Sequence, residues 1–139
     1  MFVLLLRDGS RTEIEAPDFW EAMRVALRLD AAQLQVPGDP PRSMTADQVR
    51  HELALDRPGL FDPYAPDWSP PTAAEFRELL RVADLSASKA GMLVGVDSRK
   101  IRKWAGDEKA DMPYAVWRLL SIYAGLAEAP SYSVNEITK

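Results

Sequence analysis

Ser98, Arg99, Arg102 and Lys103 recur at the spacing of one helical face, and their side chains suit the edges of nucleotide bases. A guanidinium can fork onto the O6 and N7 of guanine, the commonest base-specific contact in the major groove. A serine hydroxyl serves several bases or a phosphate. Ser88, Lys89, Lys100 and Lys109 flank this group and are expected to meet phosphate oxygens instead. A charged helical face is most often simply solvated. The residues that must hold this face in place therefore decide between the two readings.

Those residues form a consistent set. The spacing predicts a short helix over Ser86–Val94, a tight turn at Gly95-Val96 and a second helix over Ser98–Ala105 with Asp97 as its cap. Gly95 tolerates the positive φ that such a turn needs. Gly91 stands where the two backbones must approach, a place where alanine is more usual. Ala90, Val94, Val96, Ile101 and Trp104 stand where the pair must point inward, and all five are apolar. Inward apolar positions, turn glycine and basic outer face coincide in a helix-turn-helix whose second helix is built to lie in the major groove of DNA.

The elements around it follow from periodicity. A helix is expected from Thr72 to about Ala83, with Phe76, Leu79, Leu80 and Val82 on its apolar side, and another from Pro113 to about Ala124, stopped by Gly125. Val116, Trp117, Leu120 and Tyr123 share a face of the latter. Ahead of these, Phe2–Arg7 and Arg11–Glu15 are expected to form a hairpin about Asp8-Gly9-Ser10. The first strand is apolar on both faces and calls for cover on both. Asp18 to about Asp30 should be a helix with Phe19, Ala22, Met23, Ala26 and Leu27 as its buried stripe, and Trp20 is expected in the core. Thr45 caps a short helix ending near Leu55. The expected class is α+β: a small N-terminal β-hairpin plus helix, then a mainly α helix-turn-helix domain of four or five helices. The expected boundaries are 1–60 for the first unit, 61–71 for a proline-rich connector, 72–128 for the second unit and 129–139 for a tail.

Composition sets the outer limits. The chain has 139 residues, 47% of them apolar and 27% charged, which is enough for a folded core and argues against disorder throughout. There is no cysteine and only one histidine, so disulfides, thiolate metal sites and multi-histidine sites are excluded, and no cofactor is expected. No signal peptide or membrane span is read, and a cytoplasmic protein is expected. The net charge of −4 looks unsuited to DNA, but its distribution matters more. Residues 1–70 carry a balance of −5 and residues 71–139 one of +1.

The frame Leu85-Ser86, Gly91, Gly95-Val96, Ile101 and Trp104 resembles the helix-turn-helix of Cro/C1/Xre-type regulators. Over about residues 67–126 the resemblance narrows. Asp67-Trp68-Ser69-Pro70-Pro71-Thr72, Glu75-Phe76-Arg77, Arg102-Lys103-Trp104-Ala105-Gly106-Asp107 and Met112-Pro113-Tyr114-Ala115-Val116-Trp117 are similar to anti-CRISPR-associated repressors. That resemblance implies a dimer that binds inverted repeats in double-stranded DNA and represses the phage or mobile-element operon encoding it. Residues 1–66 lie outside the resemblance. Their hairpin, or the last helix through Trp117, Leu120 or Tyr123, would supply the homodimer contact.

Other constellations lead elsewhere or nowhere. His51 lies near Asp47 and Glu52 but has no nucleophile context, so a structural histidine is expected rather than acid–base chemistry. Asp56, Asp62 and Asp67 do not follow a calcium-loop spacing. The seven glycines are scattered and form no phosphate loop. No catalytic or metal site is assigned, and no enzyme is expected. The alternative function is a protein-interaction module, an anti-CRISPR inhibitor or an antitoxin, whose acidic residues 1–66 bind a protein partner.

Overall fold

The computed structural model describes residues 1–106 and 111–129. The order of elements is β1 (Phe2–Leu5), β2 (Arg11–Ile14), α1 (Phe19–Arg28), β3 (Gln33–Val36), β4 (Arg42–Thr45), α2 (Ala46–Glu52), α3 (Ala73–Ala83), α4 (Ala87–Val94), α5 (Ser98–Gly106) and α6 (Tyr114–Tyr123). The α+β class holds. The sheet goes beyond the expected hairpin, because β3 and β4 extend it in the order β2-β1-β3-β4, antiparallel throughout.

The register explains how β1 is covered. Leu4 lies level with Thr12 on one side and Leu34 on the other, and Leu34 pairs with Met44. Leu4, Leu34 and Met44 are buried with Ala22, Met23 and Ala26 of α1. On the opposite face Val3 and Leu5 lie between β2 and β3. There the Arg11 guanidinium donates to the Gln35 side-chain carbonyl across β1 at 2.9 Å. Long polar side chains thus shield the second apolar face of β1, where sequence reasoning called for a second layer or subunit.

Each helix start has a local cause. Asp18, Thr45, Thr72 and Ser86 hold extended backbone, and each accepts a bond from the amide three residues on. Gln48 and Glu75 reach back to the Thr45 and Thr72 amides, completing two capping boxes. Trp20 departs from expectation: it is 48% exposed, on the flank of a stripe centred on Ala22, Met23, Ala26 and Leu27.

One continuous core runs from the sheet to α6 and includes Leu4, Met23, Leu55, Phe76 and Trp117. Helix α1 packs on α3. Polar groups tie this contact together. Arg24 donates from Nε and Nη2 to the Glu78 carboxylate at 3.1–3.2 Å, and Glu78 is only 8% exposed. Arg57 forks onto Glu75 with both bonds at 3.1 Å. The Trp117 indole donates to the Leu60 carbonyl at 2.6 Å, and Trp68 sits edge-on against Tyr114. Because Trp117 and Leu120 are buried inside the subunit, they are unavailable for the dimer contact that sequence reasoning offered them. No helix among the described residues is long and apolar enough to cross a membrane.

Candidate nucleic-acid interface

Helices α4 and α5 pack closely and are joined by Gly95, Val96 and Asp97. Gly95 ends α4 in the left-handed region with φ 72° and ψ 32°. The Val96 amide then donates back to the Gly91 carbonyl at 2.9 Å, which folds the turn over the helix end. Gly91 is buried beneath that turn, and a Cβ built on it would collide with the Val96 carbonyl oxygen. Sequence reasoning treated glycine here as a departure from alanine; the closeness of the turn requires it.

The far side of the turn starts α5. One Asp97 carboxylate oxygen accepts from the Arg99 amide at 2.7 Å, and the Asp97 carbonyl accepts from Lys100 and Ile101. Ile101 and Trp104 anchor α5 in the core, alongside the buried Ala90 of α4. Val94 and Val96 are half-buried against the same cluster. The five expected inward positions are therefore all directed into the protein.

That anchoring fixes what faces outward. Arg99, Arg102 and Lys103 are exposed on the side of α5 opposite Ile101 and Trp104, with Gly106 completing the row at i+7. Ser98 is half-buried in the first turn, at the edge of this face. Lys100 is exposed on the other edge, and its ammonium lies over the Trp104 ring, 5.8 Å from the centroid. Ser88 and Lys89 are exposed on α4, whose first turn is capped by the Ser86 hydroxyl accepting from the Lys89 amide at 3.1 Å. Lys109 lies outside the described residues. Among the described residues none of Lys89, Arg99, Lys100, Arg102 or Lys103 enters an ion pair.

Sequence reasoning gave Arg77 no role. It is exposed on α3, and its guanidinium donates to the Ala105 carbonyl at 2.6 Å, in the last turn of α5. This cation sits at the carbonyl end of α5, where the helix dipole favours positive charge. Sequence signals do not reveal it, because the two residues are 28 positions apart. A helix with side chains is about 10–12 Å across and the major groove about 12 Å wide. Helix α5 thus offers a groove-sized row of cations whose charge is not consumed by acids of the described chain.

His51 stands apart from this surface. Its Nδ1 lies 2.7 Å from an Asp56 carboxylate oxygen, both side chains being exposed, and that bond raises the imidazole pKa above its ordinary value. It is paired with neither Asp47 nor Glu52. No cluster of metal-binding side chains is present among the described residues.

Comparison with known proteins places the chain beside two repressors. Over 62 residues it is 44% identical to a transcriptional repressor protein KorC of Escherichia coli, an alignment covering 42% of this chain and 72% of that one. A second Escherichia coli KorC is 37% identical over 62 residues, with the same coverage of both chains. No family model matches the chain, and no solved structure does.

Proposed function

We propose, from the premise that this chain belongs to the family of KorC transcriptional repressors, that it represses transcription by laying α5 in the major groove of an operator. The observation that carries this reading is the outward row of Arg99, Arg102 and Lys103 on a helix whose opposite side is locked down by Ile101 and Trp104. Arg99 and Arg102 read guanines, Lys103 and Ser98 contact neighbouring bases, and Ser88, Lys89, Lys100 and Lys109 hold phosphates. Helices α4 and α5 act as a helix-turn-helix. The acid surplus of residues 1–70 repels bulk phosphate and leaves the local basic surface to set the docking orientation.

The resemblance to anti-CRISPR-associated regulators supports a narrower version. The chain binds an inverted repeat as a dimer, overlaps a promoter of its own phage or mobile-element operon, and excludes polymerase sterically. Two α5 helices then enter successive major grooves about 34 Å apart.

Binding to a fragment from upstream of the gene tests this reading. Arg99→Ala and Arg102→Ala should each weaken the cognate site by about 1–3 kcal/mol, more than they weaken random DNA. Lys89→Ala should weaken all sequences alike and reduce the salt slope by about one unit. Undiminished operator affinity in both arginine variants would refute the assignment.

A further inference from the structure

Helix α6 has two apolar faces, and the subunit buries one. Trp117, Leu120, Ser121 and Ala124 face the core. On the opposite side Ala115, Leu119 and Ile122 recur at i, i+4 and i+7, with Tyr123 beside them. Ala115, Leu119 and Tyr123 are exposed and Ile122 is half-buried. The only charged residue of the helix, Arg118, is turned away to donate to the Phe61 and Glu128 carbonyls. A surface helix normally carries polar residues on its outer face, and one that is apolar all round is normally covered.

Resting on the repressor reading above, we infer that this outer row of α6 is the dimer contact and that its occupant is the same row of a second copy. Two features of the row select a copy over another partner. First, the chain carries a net charge of −4, so two copies repel less where they meet through residues without carboxylates, and α6 itself carries none. Second, the row runs from small to large along the helix: Ala115, Leu119, Tyr123. Antiparallel pairing about a two-fold axis at Leu119 sets Ala115 of one copy against Tyr123 of the other, small against large at both ends. A two-fold contact requires such self-complementarity. Helix α4 packs on α6 and α5 on α4, so the pairing also links the two basic helices through rigid elements.

Sedimentation of the full chain tests this. The wild type should run as a dimer, at twice the 15.5 kDa of the chain. Leu119→Glu and Ala115→Glu should each weaken dimerisation by about tenfold or more and shift the mass to monomer at micromolar concentration. Both positions are exposed, so the thermal transition of dilute protein should be retained. The variants should keep weak binding to a single operator half-site and lose tight binding to the paired site. Arg102→Ala should instead keep the dimer mass and lose the half-site. A monomeric wild type overturns the inference. Unchanged dimer mass in both glutamate variants overturns it as well, and leaves the repressor reading standing.

Discussion

Gly91→Ala isolates the geometry on which the placement of α5 depends. The new methyl would meet the Val96 carbonyl oxygen, with the Val96 carbonyl carbon and the Ser98 amide nitrogen each 3.5 Å away. All three are backbone atoms of the turn and of the first residue of α5, so no flexible side chain can give way. Two terms oppose each other. Alanine gains about 1 kcal/mol over glycine in a helix. Overpacking a close site costs about 1–3 kcal/mol, and the upper end applies because the Val96 amide is also bonded to the Gly91 carbonyl at 2.9 Å. The clash wins by about 1–2 kcal/mol, which for a chain of this size lowers Tm by roughly 3–8 °C. Gly95→Ala is the informative control. A Cβ there meets nothing within 4 Å, so its cost is the left-handed backbone alone, and Gly95→Asn should recover most of it. Thermal unfolding followed by circular dichroism measures all three. A Gly91→Ala protein as stable as the wild type, or more so, would show that the turn does not press on α4.

Arg24→Ala should destabilise the chain by about 2–3 kcal/mol in urea unfolding, because it strips the nearly buried Glu78 of a bidentate partner and leaves only Arg81, at 3.6 Å. Arg24→Ala with Glu78→Ala should cost less than the two single changes added together, and strict additivity would deny the coupling. Proton NMR should place the His51 pKa above its ordinary value, because Asp56 favours the imidazolium, and Asp56→Asn should return it. The folded-state pKa is the raised one. The pair therefore stabilises the fold fully below the unfolded-state value of about 6.5, and that contribution is lost as pH rises through the higher folded value. A His51 titration unmoved by Asp56→Asn would remove this source of pH dependence.

What the sequence disclosed divides along the range of the interactions. Thr45 could be read as a cap, and Thr72 and Ser86 as helix starts, because each acts on an amide three residues away. The inward row Ala90, Val94, Val96, Ile101 and Trp104 could be read because helical periodicity is local. Strands β3 and β4 could not: Gln33-Leu34-Gln35-Val36 and Arg42-Ser43-Met44-Thr45 have few apolar residues, and their extended form depends on neighbours set by β1. The cover over Val3 and Leu5 depends on Arg11 and Gln35, 24 residues apart. Arg24 and Glu78 are separated by 54 residues, and neither looks exceptional alone. The burial of Trp20 could not be read, because an aromatic next to an amphipathic stripe can sit on its flank as well as in it. At the candidate interface the outward residue types were legible, whereas the tether from Arg77 to the end of α5 was not.

In the proposed complex the outer row of α5 touches base edges in the major groove. Methylation interference on the bound upstream fragment tests it most directly, because a methyl on guanine N7 blocks the atom that an arginine fork must reach. Interference at guanines in two patches about one helical turn apart, with one guanine signal in each patch lost in Arg102→Ala, is the predicted result. Binding that ignores guanine N7 methylation altogether, or that is blocked only by methyl groups in the minor groove, would contradict it.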